Sequence, residues 1–237
     1  MSLLYFSLKN AKLKGRQAIF DLPAGHSCPF ALTCFCQANR ETGKITDGPW
    51  QAFRCYAASA EAVFPAARKC RWQNFDALKG KTAVQAYGII STELPAQPLI
   101  RIHSSGDFFT PAYFAAWLMV AGAFPDVIFY AYTKAIPYWL EAKKLGMIPS
   151  NLKLNASYGG KFDALIKPNG LKSVTVVNSE DEARLLGLEI DHDDTHAWAQ
   201  DKSFALLIHG NGPKGSFQAK KHNEIARAAR KANECKK

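Results

Sequence analysis

The chain of 237 residues has no run of eighteen or more apolar residues, so no transmembrane helix is expected. Its opening, Met1-Ser2-Leu3-Leu4-Tyr5-Phe6, lacks a basic flank followed by a long apolar run and a small-residue cleavage site, and no secretory signal is expected. There is no P-loop and no GxSxG, which removes the common nucleoside-triphosphate and hydrolase readings. Internal repeats, low-complexity tracts and an inter-domain linker are also absent from the sequence. The cysteines show no standard metal-site spacing.

What is present is ordinary for one sizeable globular core: 48% apolar and 21% charged residues. With no signal peptide the expected location is the cytoplasm, where thiols stay reduced. Six cysteines are then free, catalytic or metal-bound rather than paired. Cys235 reads as a bystander in a basic tail. Cys70, in Arg68-Lys69-Cys70-Arg71-Trp72, is either a thiol acidified by its cationic neighbours or a small buried side chain. The net charge of +10 favours a polyanionic partner. From Lys214 onward eight Lys or Arg stand against two Glu, giving +6. That tail suits nucleic acid or simply a solvated helix face. Seven acidic residues lie between Glu180 and Asp194.

The middle of the chain alternates strands and helices. Pro98–His103 reads as a strand, and Thr110-Pro111 as a helix start with proline in the first turn. Tyr113, Phe114, Trp117, Leu118 and Ala121 recur at helical spacing. Val127–Tyr132 is the next strand, and Ile136–Leu145 a helix stopped by Gly146. Leu152–Ser157, a short helix at Phe162–Ile166, and the strand Ser173–Asn178 follow, with Ser179 as the next N-cap. Leu188–Ile190 and Phe204–Ile208 read as the last strands, whereas Gly25–Phe75 reads as loop-rich. Repeated strand–helix order with short connections predicts a parallel sheet. The chain is short of the ~250 residues typical of a full eight-fold barrel. About six strand–helix units point to a partial (βα)6-type barrel with a cysteine-rich N-terminal insertion. Residues 1–213 form this single α/β domain and 214–237 a basic C-terminal helix, with Gly210–Gly215 as the punctuation between them.

Parallel α/β folds gather functional groups at the carboxyl ends of strands. Polar residues fall there repeatedly: Ser104-Ser105-Gly106-Asp107, Thr133-Lys134, Asn155 and Ser157, Asn178-Ser179, and Asp191-His192-Asp193-Asp194. Asp107 is expected at the mouth of the sheet, beside Ser105, in a pocket shared with Asn155 and Ser157. Within Asp191–His196, His192 and His196 would share a helical face as metal ligands can, Asp193 or Asp194 would cap a turn, and at least two of the residues are structural. Asp191 or His192 could serve as general acid or base.

Arg101-Ile102-His103-Ser104-Ser105-Gly106-Asp107-Phe108-Phe109 and Phe129–Lys134 resemble the core motifs of the phage gene product eighty-eight family, and Cys28-Pro29, Cys34 and Cys55-Tyr56-Ala57 resemble its cysteine pattern. This resemblance implies a phage or prophage origin. More distantly, the cysteine-rich region ending in Cys-Tyr-Ala, the polar strand end and the later Thr-Lys resemble phage proteins related to radical SAM enzymes. That likeness implies a partial (βα)6 barrel in which Cys28, Cys34 and Cys55 hold a [4Fe–4S] cluster whose open iron binds S-adenosylmethionine. It implies that Ser105, Gly106 and Asp107 contact the methionine amino group, and that Asn155 and Ser157 face the ribose or carboxylate. Five residues separate Cys28 from Cys34 and twenty separate Cys34 from Cys55, unlike the single CxxxCxxC loop of most radical SAM proteins.

Three functions are therefore open. The first is a radical-SAM-like phage enzyme acting on a nucleic acid or nucleotide, with phosphate held by the basic tail. The second is a base-exchange transglycosylase with Asp107 as nucleophile, Asp191 as general base and a cysteine-held zinc that Cys36 or His26 completes. The third is a non-enzymatic, zinc-stabilised nucleic-acid-binding accessory protein. No membrane partner is expected, and Cys28, Cys34 and Cys55 should converge in space.

Overall fold

The computed structural model describes residues 2–8, 17–32, 36–47 and 54–208. Cys34, Cys235, Gly210–Gly215 and the expected basic helix 214–237 lie outside them. The chain opens with β1 (Phe6–Ser7) and β2 (Ala18–Phe20), then a small hairpin of β3 (Gln37–Ala38) and β4 (Ile45–Thr46). Helices α1 (Tyr56–Val63), α2 (Pro65–Leu78) and α3 (Ala83–Glu93) follow. Strand–helix alternation then sets in: β5 (Leu99–Ile102), α4 (Pro111–Ala123), β6 (Ile128–Thr133), α5 (Ile136–Lys144) and β7 (Leu152–Ser157). A 3-10 turn at Asp163–Leu165 leads to β8 (Ser173–Val177), α6 (Glu180–Leu185), α7 (Thr195–Ala199) and β9 (Phe204–Leu207).

Seven strands form one sheet in the order β1-β2-β5-β6-β7-β8-β9. Only β1 is antiparallel to its neighbour, and each later neighbour pair is parallel. From β2 onward the parallel strands follow chain order without reversal. Among the described residues β1 and β9 are the two edges, so the sheet is open rather than a closed barrel.

The two-residue period of the strands sorts their side chains. Ile100, Ile102, Phe129, Ala131, Leu154 and Ala156 enter the main core with Ile90 of α3, Trp117 of α4 and Trp139 of α5. The alternate residues Tyr130 and Tyr132 face the opposite side, where they join Val174, Phe204 and Ala197 of α7. One face is thus an all-apolar helix seat. The other carries Arg101, tyrosines and Asn155 beneath the short segment around α7.

The helix starts follow their local chemistry. Thr110 accepts from the Tyr113 N–H ahead of Pro111, and Ser179 accepts from the Glu182 N–H. Two expectations are corrected and one is sharpened. The stretch Gly25–Phe75, read as loop-rich, is so among its described residues up to Cys55 but then carries α1 and most of α2. Leu188–Ile190 forms no strand, only a single bridge from Ile190 to Ala205. The short helix at Phe162–Ile166 is a three-residue 3-10 turn. No helix among the described residues is long and apolar enough to cross a membrane.

Candidate functional site at the strand ends

Successive strand ends are tied together by one charged side chain each. Beyond β2, the Asp21 carboxylate accepts from the Ser104 N–H at 2.7 Å, the Ser104 hydroxyl at 2.8 Å and the Ser105 N–H at 3.0 Å. Beyond β5, Asp107 accepts from the Phe108 N–H at 2.8 Å, the Thr133 hydroxyl at 2.6 Å and the Lys134 N–H at 2.8 Å. Beyond β6, Lys134 Nζ donates to Ser157 Oγ at 2.8 Å, Ser157 O at 3.0 Å and Tyr158 O at 2.6 Å. Burial pushes the Asp107 carboxyl up, opposed by its three donors. It is a buried joint between β5 and β6 whose two oxygens are both occupied.

Two backbone positions shape this rim. His103 has φ of 72°, a left-handed conformation uncommon for a non-glycine residue. The ring packs against Phe20, Phe108 and Tyr113, and Nε2 lies 2.8 Å from Tyr113 Oη. Burial pushes its pKa down to about 3, so the imidazole is neutral. Gly106 has φ of +86°, and a Cβ there would stand 2.5 Å from Ser27 Oγ and 2.6 Å from Leu22 Cβ. Only glycine lets the loop after β2 lie this close to the end of β5.

The cysteine-bearing segments meet the same rim. Cys55 immediately precedes α1, and the next residue, Tyr56, donates its hydroxyl to Ser104 O. Arg71 of α2 donates to Ala57 O and Glu61 Oε1, both at 3.0 Å, and to Asp21 Oδ2 at 3.3 Å. Glu61 Oε1 accepts the Ala24 N–H at 2.8 Å and has the Ser105 hydroxyl at 3.4 Å. Burial pushes the Glu61 carboxyl up against the pull of Ala24 and Arg71. Asp21 and Glu61 outweigh the burial that opposes the Arg71 charge, so the guanidinium stays protonated. The loop that carries Cys28 crosses to the far side of the rim. There Ala31 bridges Gly160, Leu32 N–H donates to Gly159 O at 3.1 Å, and Lys161 N–H donates to Phe30 O at 2.8 Å.

The expected site residues therefore separate into groups. Ser105, Gly106 and Asp107 form the end of β5, and Ser157 joins them through Lys134. Asn155 lies two residues further back along β7, beneath α7, where its amide donates to Ala131 O and Ala197 O, both at 3.1 Å. Cys28 and Cys55 sit on segments docked to the rim, and their convergence with Cys34 involves a residue outside the described ones. Cys70 is the bland case: burial pushes its thiol up, with Lys69 pulling the other way.

Asp193, Asp194 and His196 of the acidic segment have structural partners. Asp194 is buried and pairs with Arg101, and Tyr130 Oη lies 2.9 Å from Asp194 Oδ2 and 2.6 Å from Gln17 Oε1. Asp193 accepts the Thr195 N–H at 3.1 Å, and His196 turns to Glu189 at 3.1 Å. Lys172 Nζ donates to Ala197 O at 3.0 Å, which holds α7 on the sheet. Among the described residues no three His, Cys, Asp or Glu side chains gather as a metal site. Asp21, Glu61 and Arg71 escaped the sequence reading as site residues, and Lys134 was placed at a strand end without its hold on Ser157. The letter match of Gly210–Gly215 to G-x-G-x-x-G, which lies outside the described residues, escaped it as well.

The fold and rim define a mixed α/β protein with a mostly parallel central sheet. The chain belongs to the Gene product 88 family, whose profile matches residues 4–237. It is similar to the Gene 88 protein of Mycobacterium phage D29, 34% identical over an alignment of 147 residues, with 56% of this chain and 53% of that protein covered. It is likewise similar to the Gene 88 protein of Mycobacterium phage L5, 34% identical over an alignment of 125 residues, with 48% of this chain and 46% of that protein covered. The chain thus aligns with about half the length of these relatives. No solved structure matches it.

Proposed function

We propose that this chain is a radical-SAM-type phage enzyme acting in the cytoplasm on a nucleic acid or nucleotide, with Cys28, Cys34 and Cys55 as ligands of a [4Fe–4S] cluster. The observation that carries this reading is the docking of both described cysteine segments on one rim: Cys55 through Tyr56 and Arg71, Cys28 through the strap to Gly159 and Gly160. Chain-order parallel strands support reading the open sheet as a partial (βα)6 barrel with its mouth at that rim. Soft thiolates suit the cluster. Cys36 and His26, the residues that would close a four-ligand zinc site, have other engagements. Cys36 is buried with Sγ 3.9 Å from Asp47 Oδ1, and the His26 ring lies tilted against Trp72, centroids 4.8 Å apart, with Nε2 3.3 Å from Ala38 O.

When bound, the cluster supplies an electron for reductive cleavage of S-adenosylmethionine. This chain's residues hold the reacting groups in place: Asp21 and Asp107 fix the ends of β2, β5 and β6, Gly106 lets the loop after β2 close on β5, and Lys134 brings in the end of β7. The three donors on Asp107 argue against a nucleophilic carboxylate and hence against the transglycosylase alternative. The charge of +10 supports a polyanionic substrate, with the tail from Lys214 as its phosphate contact.

Anaerobically prepared full-length protein, given a strong reductant and S-adenosylmethionine, should release 5′-deoxyadenosine, and the Cys55→Ala variant should not. Equal release with and without Cys55, or none from iron-loaded wild type, overturns the proposal.

A further inference from the structure

Arg71 carries its charge into the interior at 7% exposure, and Glu61 is fully buried. Taking such a pair out of water costs several kcal/mol per ion, and an apolar pair of like volume commonly serves stability as well. What an apolar pair cannot do is fix direction. One guanidinium here addresses three places at once: the α1 backbone at Ala57, the Glu61 side chain of the same helix, and Asp21 beyond β2. Asp21 in turn accepts both serine N–H groups after β5, and Glu61 accepts the Ala24 N–H of the loop that leads to Cys28. Four separate segments are thereby set relative to one another, and two of them lead directly into cysteines. Ala57 lies two residues after Cys55, and Ala24 four before Cys28.

We infer that Arg71, acting with Asp21 and Glu61, is the positioning residue for the cysteine ligands: it sets the Cys55 end of α1 and the Cys28 loop against the end of β5. This rests on the iron–sulfur reading above. The group does not touch the cluster, and it acts as hydrogen-bonded partners behind metal ligands do, by restricting where the ligands sit. Arg101 is the natural control. It also holds a buried carboxylate, Asp194, on the face beneath α7, and its hydrogen bonds among the described residues go to Asp194 and His103 O, Tyr56 of the Cys55 segment feeling only its charge.

The test compares full-length wild type with Arg71→Met, Arg71→Lys, Glu61→Gln and Arg101→Met, each reconstituted anaerobically with iron and sulfide and read by metal content and visible absorbance per folded chain. Arg71→Met and Glu61→Gln should bind iron about 10- to 100-fold more weakly, as loss of a ligand's supporting partner does. Arg71→Lys should recover part of the loading, because it keeps the charge and loses the two-pronged fork. Arg101→Met should load like wild type. Alkylation of Cys55 in the iron-free proteins, compared with Cys70, gives a readout independent of the cluster and should change several-fold only in the Arg71 and Glu61 variants. Wild type that takes up no iron overturns the iron–sulfur reading and this inference with it. Wild type and Arg71→Met that load alike, or Cys55 alkylation unchanged in the folded variants, overturn the inference alone.

Discussion

Two arginines of this molecule, each paired with a buried carboxylate, invite comparison. Arg71 sits at the strand ends and joins α1, α2 and the loops after β2 and β5. Arg101 sits on the open face of the sheet, where its partner Asp194 anchors the segment that leads into α7, and its guanidinium lies 4.9 Å over the Tyr132 ring. Both pairs are nearly water-free, so both are expensive to break. They differ in what they hold. The Arg101 pair fastens a cover onto a completed sheet, whereas the Arg71 network fixes the places from which the cysteine segments depart. Equal electrostatics can thus serve stability in one region and the arrangement of a site in another.

The sharpest way to break this comparison is to remove each guanidinium. Arg71→Met and Arg101→Met should each lower unfolding free energy by about 3–5 kcal/mol, because each strands a buried carboxylate. Urea denaturation of the two variants checks this. A difference of more than a factor of two between them would contradict the equivalence of the two pairs. The double variant Arg101→Met/Asp194→Asn should regain most of the loss, since the amide tolerates the left-handed backbone at φ 66° and leaves no unpaired charge.

Next in size is Gly106→Ala. Its Cβ would meet Ser27 Oγ at 2.5 Å in a left-handed backbone, and strain plus overpacking should cost roughly 2–4 kcal/mol. A melting temperature equal to that of wild type would show that the loop after β2 is not held tightly to β5. Asp107→Asn comes third. An amide can accept from one neighbour but offers N–H groups to the other, and the Lys134 N–H and Thr133 hydroxyl cannot both be satisfied as before. A loss of about 1–3 kcal/mol is expected by denaturation, with the fold retained by circular dichroism.

The last effect is confined to acid and is absent at neutral pH. The His103 imidazole has its pKa lowered from 6.5 to about 3 by burial, so below pH 6.5 the unfolded chain binds a proton that the folded chain refuses. This contribution is full above pH 6.5 and is lost progressively as the pH falls toward 3. His103→Asn, which tolerates the same left-handed backbone, should flatten the stability–pH slope in that window. An unchanged slope would show that the imidazole charges freely in the folded protein.

Much of the sheet was legible because its signals are local. Pro111 after Thr110, the 3–4 spacing from Tyr113 to Ala121 and the apolar run at Ile128–Thr133 fix α4 and β6 without reference to anything distant. Helices α1 and α2 were hidden for two physical reasons. The first is rich in small residues and shows no apolar stripe. The second buries Arg68, Arg71 and Asn74, so its inward face reads as polar, and Pro65 resembles a break although it opens the helix. The rim was half legible. Ser105, Gly106 and Asp107 announce a strand end, but their partners lie far along the chain: Arg71 reaches Asp21 across 50 residues, and Ser104 meets Asp21 across 83. No local pattern encodes such pairs. The alternation of β7 places Asn155 and Ser157 on one face, yet Lys134 draws only Ser157 toward the β5 end.

The most direct test of the account is the iron and acid-labile sulfide content of the full chain prepared without oxygen, measured beside a variant with Cys28, Cys34 and Cys55 all changed to alanine. The account predicts about four irons and four sulfides per wild-type chain with broad visible absorbance, and none in the variant. A colourless, iron-free wild type after reconstitution, or equal iron in both proteins, would contradict it.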